Sequence, residues 1–278
     1  MKKTVILLST ICATAFLYIS CSSDNHDEPG NSTNLTNVGA SIFVDTSNEM
    51  DLNTGLLITT ATSTTAKTAE TPAGLCATVT ISTPNGGEYP KVFLADFGTA
   101  GCKDINNLTR KGQLKVTLTG PIMENGSKMT IERIDYSINY TKLEGTIEYT
   151  NTTTVATTPQ WTRKVINGKL TDIQGGVYIN SGFYTTKQIA GVDTPLVLSD
   201  NVYEITEGSH KVTSANGESI TLTIKEPLTK KYSCLFISKG QLKVQGEILN
   251  GVIDYGNNDC DALYTYTQEN GASYKLSM

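Results

Sequence analysis

The chain reads as an all-β protein, an antiparallel meander forming a sandwich or a rolled sheet, and three observations predict it. Apolar and polar residues alternate with a period of two. Ile134, Tyr136, Ile138 and Tyr140 fall on one face and Asp135, Ser137, Asn139 and Thr141 on the other, and Leu114-Val116-Leu118 and Ile220-Leu222-Ile224 repeat the pattern. Asn-Gly pairs begin at 85, 125, 167, 216, 250 and 270. They are strong hairpin signals, because both residues tolerate positive φ. No convincing amphipathic helix follows the leader, so short strands and frequent turns set the architecture.

Taken in order, residues 1–20 have the anatomy of a secretory leader. Lys2 and Lys3 are basic, the run from Val5 to Ile19 is apolar, and Ser20 is small. The apolar run, about 15 residues, is short for a bilayer span. Tyr18-Ile19-Ser20-Cys21 resembles a bacterial lipobox, which implies lipidation of Cys21. The serine and acidic stretch from Ser22 to Glu28 is similar to the export signal that sends Bacteroidota lipoproteins to the cell surface. As composition alone it is a solvated acidic linker. Residues 21–37 read as a flexible tether. Residues 38–75 are ambiguous: Ile42-Phe43-Val44 and Leu56-Leu57-Ile58 suit strands, and the Thr/Ala-rich run from Thr59 to Thr71 suits a linker. From 76 to 278 the pattern is that of one β domain.

Composition narrows the partners. The chain has 22 basic and 27 acidic residues, and without Lys2 and Lys3 the net charge is near −7. That argues against nucleic acid and against electrostatic docking on anionic lipid. The expected tie to the membrane is the lipid. Cys12 and Cys21 belong to the leader, leaving Cys76, Cys102, Cys234 and Cys260. Four cysteines in an exported chain suggest disulfides, with three possible connectivities.

A repeat selects among them. Cys76 to Cys102 and Cys234 to Cys260 are each 26 positions apart, and overlaying them aligns Asp96-Phe97-Gly98 with Asp254-Tyr255-Gly256. Both copies read Asp-aromatic-Gly-x-x-x-Cys, which marks duplicated modules at 76–118 and 234–278 and assigns the bonds Cys76–Cys102 and Cys234–Cys260. Gly98 and Gly256 supply φ freedom, and Asp96 and Asp254 can bond turn amides. A second repetition, Lys-Gly-Gln-Leu-Lys-Val at 111–116 and 239–244, has an offset of 128 against 158 for the module and does not fit its register. The Asp-aromatic-Gly-x-x-x-Cys motifs, with the glycine-led strand after them, resemble a Bacteroidota lipoprotein family with no assigned activity. The resemblance covers roughly residues 76–278.

Candidate chemistry is thin. His26 lies in the tether and His210 is expected in a solvated turn, so no Ser-His-Asp site or histidine zinc site is legible. Asp254, Asn257, Asn258, Asp259 and Asp261 form an oxygen-rich loop of a kind calcium accepts, but a disulfide-pinned polar turn explains it as well, and Thr99, Ala100 and Gly101 of the first copy lack those ligands. A glycosidase needs two carboxylates across a cleft, and Glu132, Asp135, Glu144 and Glu148 are the available candidates. Tyr136, Tyr140, Tyr149, Tyr178, Tyr184, Tyr203 and Trp161 could form a sugar-stacking face, although Tyr136 and Tyr140 share a face with isoleucines and so read as core.

The expectation is a disulfide-stapled lipoprotein of the outer membrane, facing the cell surface, with a periplasm-facing orientation as the alternative. Its expected role is non-catalytic, binding a glycan or protein ligand or supporting an assembly, without cofactor or metal. The alternative is an envelope hydrolase using a carboxylate pair. An exposed apolar patch would favour binding, converging carboxylates would favour the hydrolase, and a smooth polar surface would favour a purely structural role.

Overall fold

The structure, a computed structural model, describes residues 29–61 and 72–278. The leader, Cys21 and the acidic stretch lie outside the described residues. A helix, α1 (Pro29–Ala61), comes first. The strands follow: β1 (Thr78–Ser82), β2 (Lys91–Asp96), β3 (Cys102–Lys103), β4 (Thr109–Leu118), β5 (Lys128–Ile138), β6 (Thr141–Asn151), β7 (Gln160–Thr171), β8 (Val177–Ala190), β9 (Val202–Ser214), β10 (Ser219–Lys231), β11 (Lys239–Gly246), β12 (Gly251–Asn257), β13 (Leu263–Gln268) and β14 (Ser273–Ser277). Apart from the short β3, which pairs with β4, they form one sheet in chain order, all antiparallel. Neighbours in sequence are neighbours in space, so each strand closes onto the one before it.

A sheet this wide curls rather than staying flat. The curl is built in by bulges that run across it. In β4, Gly112 has φ +82 and lies so close to Asp135 of β5 (φ +47) that a Cβ would overlap the Asp135 carbonyl. The next irregularity sets Gly145 of β6 against Asn167 of β7. Bulges increase local twist and bend the strand that carries them. The result is a rolled sheet with α1 against its concave side.

The helix corrects the sequence reading at several points. The expected tether is already helical from Pro29, and both triplets read as strands, Ile42-Phe43-Val44 and Leu56-Leu57-Ile58, are helical turns. Residues 62–71 of the expected linker lie outside the described residues. Proline suits a first helical position, but the remainder is rich in Asn, Ser, Thr and Gly, which are poor helix formers. Its stability comes from packing. Val38, Ile42, Val44 and Ile58 are almost fully buried and face different directions, because sheet lies around several sides of the helix. A helix buried in this way has no single apolar stripe to be read from sequence.

Two apolar clusters fill the space between helix and sheet. One joins Val44, Met50 and Ile58 to inward residues such as Phe93, Leu114, Val116, Ile131 and Ile147. The other joins Leu35, Val38 and Ile42 to Ile205, Leu222, Leu242, Ile253 and Tyr266. The polar middle of the helix lies between them.

Two further expectations change. Ile134 and Tyr140 do not share the inner face with Tyr136 and Ile138: the bulge at Asp135 turns Ile134 outward, and Tyr140 is 80% exposed in a two-residue turn with Asn139 (φ +46 and +68). Asn167-Gly168 makes no hairpin, since it lies inside β7 as a bulge; the other five Asn-Gly pairs fall in or at the edge of connections between strands.

Candidate functional site

Both expected disulfides are present, with Cα separations of 5.9 Å for Cys76–Cys102 and 5.2 Å for Cys234–Cys260. The turn residues act as expected. Asp96 Oδ1 accepts from the Gly98 amide at 2.8 Å, and Asp254 Oδ1 accepts from the Gly256 amide at 2.7 Å. The second repetition explains itself here. The Gln113 amide donates to Asp96 Oδ2 at 2.8 Å and the Gln241 amide to Asp254 Oδ2 at 2.7 Å, so each Lys-Gly-Gln-Leu-Lys-Val strand is the ladder partner of an Asp-aromatic-Gly strand. In the first copy the partner follows in the chain, and in the second it precedes. That reversal is why the two offsets, 128 and 158, disagree.

The concentration of ionisable groups lies inside, around the polar middle of α1. Arg163 of β7 bonds Asp45 at 2.8 Å and Glu49 at 2.7 Å. Arg133 of β5 bonds Asp51 at 2.7 Å and Asn48 at 2.9 Å, while the Tyr136 hydroxyl donates to Asp51 at 2.9 Å. Tyr184 donates to Asp45, and Arg110 donates to Thr54 and pairs with Asp104. His210 is the clearest miss. It lies on β9, 1% exposed, with Nδ1 3.0 Å from Asp45, and is neither solvated nor in a turn. Its place between Ser209 and Lys211, alternating with buried Val212, was the available signal.

Opposing effects divide the carboxyls. Burial pushes Asp45 up, but the neighbouring His210 and the hydrogen-bonded Arg163 outweigh it and hold the carboxyl at about 2. At Glu49 burial prevails over Arg163 and Lys230, and the carboxyl rises. Lys230 is pulled down to about 8 by burial, its ammonium resting on the carbonyls of Lys231, Cys234 and Leu235. Divergent carboxyls in a cleft are an acid–base signature, but this pair is sealed between helix and sheet. Each member is tied to Arg163, so its chemistry is that of a locked core.

The carboxylates expected across a cleft are elsewhere. Glu132 pairs with Lys115, Glu148 with Lys128, and Glu144 with Lys142 and Lys169, in cross-strand or same-strand ion pairs on the open side of the sheet. The Glu144 carboxyl is lowered, chiefly by its hydrogen bond from Lys169, the opposite of a poised acid. Asp254 and Asp261 are engaged in their own turns. Among the described residues no group of three or more His, Cys, Asp or Glu side chains is placed to hold a metal. Tyr136, Tyr149, Tyr178, Tyr184, Tyr203 and Trp161 are buried, so they form core and no stacking face.

The convex face is different. Ile134 of β5, Ile166 of β7, and Ile179 and Phe183 of β8 point to solvent, 36–52% exposed. Lys164 lies opposite Phe183 across the ladder, and Lys169 opposite Ile179. No family model, curated protein or solved structure matches the chain.

Proposed function

We propose that this chain is a lipid-anchored protein of the cell envelope, facing the cell surface, with a non-catalytic binding role carried by the outside of its sheet. The observation that favours binding is the group of exposed apolar residues on the convex face, Ile134, Ile166, Ile179 and Phe183. Exposed apolar side chains on one face of a sheet offer a surface that a partner can cover. The concave side, where a rolled sheet would otherwise receive a ligand, is occupied by the chain's own helix through buried ion pairs. The anchoring part of the proposal rests on the lipobox-like Tyr18-Ile19-Ser20-Cys21 and the acidic residues after it.

Protease shaving of intact cells, followed by blotting for the chain, tests the orientation. Loss of the signal without lysis is the expected result. Protection until lysis would turn the domain toward the periplasm and leave a role in envelope assembly. Labelling with a radioactive fatty acid, abolished by Cys21→Ala, tests the anchor separately.

A further inference from the structure

The two free edges of the sheet differ in what they present to a neighbour. Among the described residues β1 pairs with β2 alone, so the backbone groups along its other side have no strand to bond. Free edges are ready templates for pairing, and proteins blunt them with lysine, proline or a bulge. β1 has none of these: it reads Thr78-Val79-Thr80-Ile81-Ser82, and its register with β2 is unbroken. β14, at the other edge, reads Ser273-Tyr274-Lys275-Leu276-Ser277. Tyr274 and Leu276 pack inward, so Lys275 stands on the outer face at the middle of the strand. Self-pairing there would set ammonium against ammonium.

The β1 sequence, by contrast, is self-complementary about Thr80. In an antiparallel pair with a second copy, Thr78 stands opposite Ser82, Val79 opposite Ile81, and Thr80 opposite itself. Hydroxyls meet hydroxyls on the outer face, where Thr78, Thr80 and Ser82 are exposed, and β-branched side chains meet on the inner face. Both kinds of cross-strand pair are stabilising. The rows behind the join agree. On the inner face Leu114, Ala95 and Val79 of one copy lead to Ile81, Phe93 and Val116 of the other, all apolar. On the outer face the Thr80 row runs back through Leu94 to Lys115, two strands from the join. Asp96, behind Thr78, shares its row with Val92 of the other copy rather than with a second carboxylate.

We infer that two copies of this chain associate through β1, antiparallel about Thr80, to make one continuous sheet. The contact is independent of the lipid anchor and of the convex face assigned to binding above. Five residues from each copy make a small interface, below the size of permanent dimers. Association is therefore reversible and expected at protein concentrations of about 0.1–1 mM.

Cysteine cross-linking tests the register, in the full chain carrying Cys12→Ser and Cys21→Ser and kept in detergent. Thr80→Cys sets two thiols face to face across the twofold, with Cα atoms about 4.5–5.5 Å apart, within the range of a disulfide. It should form an oxidised dimer about tenfold faster than Thr78→Cys or Ser82→Cys alone, because only its thiols are held together. Mixing the Thr78→Cys and Ser82→Cys chains should restore the fast rate. Sedimentation equilibrium of the same Cys12→Ser/Cys21→Ser chain gives a second reading. A monomer–dimer equilibrium is expected, and Thr80→Lys, which sets like charges opposite each other, should stay monomeric with an unchanged unfolding midpoint. Equal cross-linking rates for the three single variants overturn the inference, and so does a Thr80→Lys chain that dimerises as well as its parent. A chain that neither cross-links nor dimerises overturns it too, and leaves the edge to a strand of a different protein. None of these readouts depends on lipidation or on orientation in the envelope.

Discussion

Asp45 and Glu49 lie one turn apart on α1 and share Arg163, yet their carboxyls move in opposite directions. The folded pKa of Asp45 is below its unfolded value of 3.8, so its stabilisation is complete above about pH 4 and is lost as the pH falls toward 2. It amounts to about 2 kcal/mol. Glu49 is raised in the fold, so ionising it costs stability at neutral pH, and that stability returns as the pH falls through the raised value. Urea unfolding between pH 2.5 and 7 should therefore separate them. Asp45→Asn lowers stability at pH 7 and flattens the acid limb, whereas Glu49→Gln is neutral or stabilising at pH 7. If both variants lost equal stability there, the division of roles would be wrong. Arg163→Met, which strands two buried carboxylates, should cost about 3–5 kcal/mol in the same assay.

At the scale of elements, the bulges decide the curve of the sheet. Gly112→Ala puts a Cβ into the Asp135 carbonyl at φ +82, while Gly126→Ala, at nearly the same φ (+83), meets open space. Both carry the cost of a left-handed backbone, about 1–2 kcal/mol, and only the first adds a backbone collision. Thermal unfolding of the two variants should place Gly112→Ala well below Gly126→Ala, and equal midpoints would remove the bulge as a determinant. The same features limited what could be read in advance. Alternation found the strands, and five of the six Asn-Gly pairs found connections, because both signals are local. Ile134 changed face because the bulge at Asp135 breaks the period, and no composition rule marks that position. The helix was hidden for a tertiary reason: with sheet around several sides of it, Asp45 and Asp51 are as buried as Ile42. His210 reads as a solvated turn residue until its neighbour on the helix is known. The cysteine pairs were legible because the Asp-aromatic-Gly spacing repeats, whereas the Gln113 and Gln241 partnership needed the ladder.

For the whole molecule, each disulfide closes a loop of 26 residues and contributes about 3.5 kcal/mol on the chain-entropy view. Cys102→Ser and Cys260→Ser should each lower the unfolding free energy by up to that amount, and additively, since the bonds lie at opposite ends of the sheet. A clearly larger loss in the double variant would mean that the two ends stabilise each other. The strand pairs themselves are short-range, each closing on its neighbour, while the helix contacts span the chain: Asp45 waits 118 residues for Arg163, and Thr46 waits 232 for Met278. During synthesis, the helical segment emerges with acidic side chains whose partners do not yet exist, and every hairpin that follows can form before the helix finds its place. Assembly of this fold is thus a process of wrapping, in which the first described segment to appear is the last to be fully enclosed, and a chain stopped anywhere short of β9 leaves Asp45 without His210.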